Sequence, residues 1–166
     1  MPTGPAARLG DTVAHPAPPV LGPGPGSTNV LIGNKPAWRG VGAAAAAAIQ
    51  AAKAASDAAI KAAEAASAAA QGTPGAPAAK AAEEAAKAGA AAAMGSMIAG
   101  AAAGSDMHAC AVPLPIPPHG SGVVIDGSQT VLINNMPACR LGDTIVEPVG
   151  PPNKITMGEP TVIIGG

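Results

Sequence analysis

The sequence predicts a mainly β fold, in which a small conical domain with pseudo-three-fold symmetry is interrupted by an alanine-rich antiparallel α-helical hairpin. Two observations predict it. Two short sequence units each occur three times in the same order, which is typical of a domain built from repeats. One interval between the units is expanded by residues 41–104, where the composition changes abruptly to alanine. We therefore expect residues 1–40 plus 105–166 to form the β domain and residues 41–104 to form the hairpin.

The copies of each repeated unit are similar in sequence, and their spacing is also conserved along the chain. The first unit begins with Pro-Ala and contains an arginine, in copies at 5–11, 36–40 and 137–143. The second unit begins with glycine and ends in a short aliphatic run, in copies at 26–33, 127–134 and 158–165. From the proline to the glycine the interval is 21 residues in the first and last pairs and 91 in the middle pair. Removing residues 41–104 brings the middle interval close to the others, so a single insertion explains the difference.

Short strands and tight turns are expected in the repeats. Residues 12–26 are too rich in proline and glycine for a helix or a central strand, and they predict a rigid loop. The aliphatic runs at 30–32, 131–133 and 162–164 predict three equivalent strands. The sequence Gly33-Asn34 after the first run is typical of a hairpin turn.

Residues 43–71 and 78–103 predict two helices, because alanine is the strongest helix former. The proline- and glycine-containing segment 72–77 lies between them and predicts a turn, so the helices should be antiparallel. The uncharged run 88–105 also allows a membrane-inserted hairpin. We favour a soluble hairpin, since alanine is barely apolar and the first helix carries four charges.

The repeated Pro-Ala-Ala-Arg unit resembles the signature of the PAAR family, over residues 1–40 and 105–166. Members of this family cap the spike of bacterial type VI secretion systems. The resemblance implies a pointed β cone and a structural zinc ion near its vertex, held by three histidines and one cysteine.

Composition excludes some classes of function. The formal net charge of −1 gives no electrostatic case for binding nucleic acid or anionic lipid. Trp38 is the only aromatic residue, so the core must be thin, and a metal ion is a natural source of extra stability. The chain starts almost at once with the repeat and shows no signal-peptide pattern, so we expect it to be made in the cytoplasm.

The histidines and cysteines predict one zinc site. His108 and Cys110 are alternate residues of an extended segment, and the proline-rich stretch after them can return His119 to the same place. His15 lies four residues after Asp11, just as Cys110 lies four residues after Asp106. We therefore predict a tetrahedral site made of His15, His108, Cys110 and His119, the same donor set that the family resemblance implies.

Two further residues could compete for this role. Cys139 is the competing cysteine, but it occupies the third position of its repeat unit, where the other copies have Ala7 and Trp38, and so is expected to pack in the core. Glu147 lies four residues after Asp143, and relatives often have cysteine at this position, so the third repeat is expected to contribute no ligand.

The arginines of the repeat units are interpreted as structural. Arg8, Arg39 and Arg140 occur at equivalent places, and a group used three times is better explained as a turn-stabilising ion pair than as a unique catalytic centre.

The function expected from the sequence is that of a non-enzymatic tip protein. One chain would cap the trimeric valine-glycine repeat spike of a type VI secretion system, help to recruit or deliver effectors, and be secreted by that apparatus into target cells. The hairpin could contact an effector or a chaperone. One alternative is a membrane-targeting or pore-forming effector built on the hairpin, and a less favoured one is a zinc hydrolase, which would need an open metal position.

Overall fold

The computed structural model describes residues 2–14, 20–110 and 119–165 of the chain. These residues form two long helices and several small antiparallel sheets. The strands are β1 (Gly4–Ala6), β2 (Leu31–Ile32), β3 (Lys35–Pro36), β4 (Met107–Cys110), β5 (Gly120–Val124), β6 (Leu132–Ile133), β7 (Met136–Pro137), β8 (Thr144–Val146), β9 (Asn153–Lys154) and β10 (Glu159–Ile164). The helices are α1 (Ala43–Ala69) and α2 (Ala76–Ala101).

The helical hairpin is confirmed, and its helices end within about two residues of the predicted limits. The predicted fold class is confirmed in its coarser part, as two helices together with several small antiparallel sheets. The helices contain 27 and 26 residues, whereas no strand in the described residues is longer than six. Helix is thus the more abundant element, because the repeats consist largely of turns. The predicted domain boundaries at 40/41 and 104/105 stay a prediction.

The second repeat units form matching elements. The hairpins β2–β3 and β6–β7 are each closed by two residues with positive φ, Gly33-Asn34 at 55° and 63° and Asn134-Asn135 at 52° and 63°. Two successive positive φ angles define the type I′ turn, whose twist matches that of the strands, and only glycine and asparagine adopt it readily. The third copy lies in β10, which pairs with β1.

The first repeat units are joined to one another by a closed cycle of backbone hydrogen bonds. The amide of Ala7 donates to the carbonyl of Cys139 (2.9 Å), that of Cys139 donates to Trp38 (3.0 Å), and that of Trp38 donates to Ala7 (2.9 Å). A second cycle has its donors two residues after the residues of the first cycle and its acceptors two residues before them. The amide of Leu9 donates to the carbonyl of Pro36 (2.9 Å), that of Gly40 donates to Pro137 (2.8 Å), and that of Leu141 donates to Pro5 (2.8 Å). Within each cycle a copy donates to one neighbour and accepts from the other, and the two cycles run in opposite directions.

Each first unit also carries an arginine–aspartate pin, as predicted. Arg8 pairs with Asp11 and Arg140 with Asp143, each three positions apart. Arg39 makes the same contacts with Asp106, which lies 67 positions away. In all three pins the arginine amide and guanidinium donate to one carboxylate, and the aspartate amide donates back to the arginine carbonyl. The second repeat thus continues across the insertion as if the hairpin were absent.

The hairpin is joined along its length by small residues and by a few polar contacts. Near its far end, Lys87 on α2 lies 2.7 Å from both Glu64 on α1 and Glu83 on its own helix. The lysines Lys80 and Lys87 lower the pKa of Glu83 to about 2 by donating hydrogen bonds to its carboxylate. The contact of Lys87 with Glu64 therefore joins α2 to α1.

The near end of the hairpin packs on the four-stranded sheet β4-β5-β8-β9. Val123 and Val146 oppose each other in this sheet and point to its outer face. One buried cluster combines them with residues of both helices: Val41, Ala46, Ile49, Met94, Ile98, Ala102, Val123, Ile125 and Val146. The next opposing pair, Val124 and Ile145, points to the inner face and packs with Trp38. The hairpin base is therefore the outer cover of this sheet.

We predict that the hairpin can be shortened but not removed without loss of stability. Deleting residues 57–89, with a short glycine-rich turn in their place, leaves the shared cluster intact and should change the melting temperature only slightly. Deleting residues 41–104 exposes Val123, Ile125 and Val146 and removes Ile49 and Ile98, which are fully buried. This deletion should lower the free energy of unfolding by at least about 3 kcal/mol, comparable to one large-to-small core substitution.

Urea denaturation of the two deletion variants measures this difference. Equal stability of both variants and the intact chain would mean that the hairpin base contributes nothing to the core.

Candidate metal centre

The inner face of the four-stranded sheet carries a cluster of metal-binding side chains. His108 and Cys110 are alternate residues of β4, so both point to the same face. Glu147 follows the last residue of β8, and His119 precedes the first residue of β5. Because β4 pairs with β5 and β5 pairs with β8, the register brings these four residues to one end of the sheet.

The cluster is buried and compact. Side-chain ligand atoms of Cys110, His119 and Glu147 all lie within 4.8 Å of one another, and all three residues are buried. His108, which is also buried, joins them through Nε2, 3.8 Å from Glu147 Oε1. Among the described residues, the cluster thus contains two imidazoles, one thiol and one carboxyl group.

Hydrogen bonds hold one oxygen of the Glu147 carboxylate in place. Its Oε2 lies 2.8 Å from His119 Nδ1 and accepts a bond of 3.0 Å from Asn153 Nδ2. Burial raises the pKa of Glu147 to about 7, because removal from water penalises the charged form more than the bond from Asn153 favours it. A cation beside this group would favour its ionised form.

Two glycines make room for the cluster. A Cβ atom at Gly122 would lie 2.7 Å from Glu147 Cγ, and one at Gly150 would lie 2.8 Å from His119 Nε2. Real Cβ atoms do not approach other atoms so closely, and Gly150 also has a φ of 88°, which side chains rarely allow. The backbone around these two side chains is therefore adapted to them.

The predicted ligands are found as follows. The ligand atoms of Cys110 and His119 lie within 4.8 Å of each other, and His108 lies beside Glu147 in the same cluster, while metal binding by these residues stays a prediction. His15 lies outside the described residues, so its role stays a prediction. Cys139 lies elsewhere, in the buried cluster of Ala7, Val13, Leu21, Trp38, Val124, Ile145 and Ile155, and desolvation raises its thiol pKa well above the usual value.

Glu147 is the residue that sequence reasoning set aside. The signal was its position four residues after Asp143, which matches that of Cys110 after Asp106. The structure places it in contact with His119 and close to Cys110. The mixed nitrogen, sulfur and oxygen donors of the cluster fit Zn²⁺, which accepts all three and has no preferred geometry of its own.

The comparison with known families agrees with the repeat pattern. Residues 114–166 match the PAAR motif family. This match supports a PAAR-repeat protein of the type VI secretion spike-tip family. The matched region contains the third copies of both units, together with His119 and Glu147. No curated protein and no solved structure matches the chain.

Among the described residues, no helix combines the length and hydrophobicity that crossing a bilayer requires.

We predict that this PAAR protein binds zinc through Cys110 and not through Cys139. Zinc at about 1,000 times its Kd should stabilise the folded chain by about 4 kcal/mol, because it binds the folded state selectively. Substitution of His119 by alanine, or Cys110→Ser, should abolish this gain, whereas Cys139→Ala should retain it. Thermal unfolding with and without zinc measures the effect. A gain that survives Cys110→Ser but is lost in Cys139→Ala would place the metal elsewhere.

Proposed function

We propose that this chain is a non-enzymatic tip that caps the trimeric valine-glycine repeat spike of a type VI secretion system, with one chain per trimer. The observation that carries the proposal is a set of three exposed aliphatic side chains at equivalent positions of the second repeat units. Leu31, Leu132 and Ile163 are 61%, 56% and 60% exposed. Each is followed by a buried isoleucine, at positions 32, 133 and 164.

The arrangement of these residues favours one shared surface. The three buried isoleucines pack in one cluster with Ala6, Ala37 and Ala138, which occupy equivalent positions of the three first units. Each exposed side chain belongs to the residue that directly precedes one of these isoleucines. In each of the three units an exposed aliphatic residue is followed by a buried one, as expected for a pseudo-three-fold domain with a flat apolar base. We propose that the β domain is a cone with this base.

A three-fold partner fits such a base. A trimer presents each surface element three times around its axis, so one pseudo-three-fold chain can offer it three similar contacts. Exposed aliphatic groups that are grouped together commonly mark a protein interface. The partner would also cover the ends of the short strands that carry these groups.

The zinc ion has a structural role in this proposal. Three of its ligands are His108, Cys110 and His119, and His15 is the fourth ligand predicted from the sequence. The ion would fix the end of the sheet opposite the apolar base, where few apolar side chains meet. It contributes folding free energy directly, as structural zinc does in other small domains.

The hairpin would serve recruitment. Its base is fixed to the sheet, while its far part is covered on only one side by the partner helix. We propose that this far part binds an effector or a chaperone after synthesis in the cytoplasm, and that the assembled tip then leaves the cell through the secretion apparatus.

Mass measurement of the mixed proteins tests the capping proposal. The purified chain and its cognate spike trimer should form a complex with one chain per trimer. Leu132→Asp should weaken binding by at least about tenfold, since it introduces a charge into an apolar contact, and zinc content should not change. Ala62→Asp, on the exposed side of α1, is the matched control and should bind normally.

Three chains per trimer, or no complex at all, would contradict the proposed cap. Normal binding by Leu132→Asp would show that the aliphatic set is not the contact surface.

A further inference from the structure

Glu147 occupies a position that the predicted zinc ligand set does not include. It lies at the end of β8 on the inner face of the sheet, and its side chain is fully buried. The orientation of this carboxylate, its distances to the other side chains of the cluster and its charge all bear on whether it binds the metal.

The two oxygens of Glu147 have different surroundings. Oε2 accepts a hydrogen bond of 3.0 Å from Asn153 Nδ2 and lies 2.8 Å from His119 Nδ1. Oε1 lies 3.8 Å from His108 Nε2. In a tetrahedral zinc site, bonds of about 2.0 Å to nitrogen or oxygen and 2.3 Å to sulfur put neighbouring ligand atoms roughly 3.3–3.7 Å apart. The distance from Oε1 to His108 Nε2 is close to that spacing.

The rest of the cluster needs only a small contraction. The ligand atoms of Cys110, His119 and Glu147 lie within 4.8 Å of one another. Movement on the order of 1 Å brings them to ligand spacing, and side-chain rotation supplies that movement without a change in the sheet. Gly122 provides the space that the Glu147 side chain occupies.

Charge balance favours the same assignment. A thiolate and a carboxylate together carry two negative charges, which match the two positive charges of Zn²⁺ when the imidazoles are neutral. Three histidines and one cysteine would leave one positive charge on the ion, next to a carboxylate outside the ligand set. Buried charges are costly unless they are directly paired, so a carboxylate this close is better accommodated as a ligand.

We propose that Glu147 binds the zinc ion through Oε1, together with His108, Cys110 and the Nδ1 atom of His119, which lies on the Glu147 side of its ring, and that this set is complete without His15. Asn153 is then a positioning residue that holds the other carboxylate oxygen. The inference rests on the zinc site of the proposed function and is independent of spike binding.

The rival interpretation is that Glu147 only orients His119, as carboxylates beside metal-bound histidines often do. In that case the ion is bound by three imidazoles and one sulfur. The two interpretations therefore differ in the number of imidazoles around the ion, which is two when Glu147 is a ligand and three when His15 is.

Zinc K-edge X-ray absorption of the intact, zinc-loaded chain counts these imidazoles directly. The proposal predicts two imidazoles, one sulfur and one further light atom. Three imidazoles would overturn it. This measurement uses the unmodified protein, so it does not depend on whether any variant folds.

Zinc affinity of two variants, measured by competition with a chromophoric chelator, gives an independent result. Glu147→Gln keeps the size of the side chain but removes its negative charge, so it should weaken zinc binding by more than the 10–100-fold typical of residues outside the ligand set. His15→Ala should stay within about threefold of the intact chain. A loss of no more than about 100-fold in Glu147→Gln, or an equal or larger loss in His15→Ala, would overturn the proposal.

These outcomes are distinct from a failure of the proposed function. A chain that takes up no zinc from solution would contradict the structural metal itself. A chain that binds zinc through three imidazoles but forms the expected spike complex would contradict only the role of Glu147.

Discussion

The fold depends on the closed cycle of backbone hydrogen bonds among Ala7, Trp38 and Cys139. The strands of the repeats are two to six residues long, and isolated strands of that length are not stable in water. In the cycle each unit satisfies the amide of one neighbour and uses the carbonyl of the other. Because the cycle closes, none of these three positions is left as an unpaired edge.

The arginine–aspartate pins explain how the domain accepts an insertion. In the first and third units the pin closes a four-residue turn, whereas in the second unit the same bonds join Arg39 to Asp106 across the whole hairpin. The chain therefore leaves and re-enters the domain at one point, and the turn geometry is kept. The hairpin base then covers the outer face of the sheet whose inner face carries His108, Cys110 and Glu147. The hairpin base and the candidate metal centre thus lie on opposite faces of the same sheet.

Much of this organisation could be predicted from the sequence because it is repeated. Three copies of each unit revealed the pins, the equivalent strands and the place of the insertion, and alanine content revealed the helices. What the pattern could not show is which face of the sheet the hairpin covers, since this depends on the alternation of Val123, Val124, Val146 and Glu147 in paired strands. Glu147 was set aside because proteins of the family that the sequence resembles often have cysteine at this position. Its contact with His119 arises from strand register, which no local spacing encodes.

The central claim is that the three units form one cooperative ring, and hydrogen exchange measured by NMR tests it most directly. The amides of Ala7, Trp38 and Cys139 should all exchange only through global unfolding, so their opening free energies should be equal to one another and to the stability measured by denaturation. Amides in the far part of the hairpin, around Ala62, should exchange with a lower opening free energy. If one of the three ring amides exchanges with a much lower opening free energy than the other two, the ring opens locally and does not govern the fold.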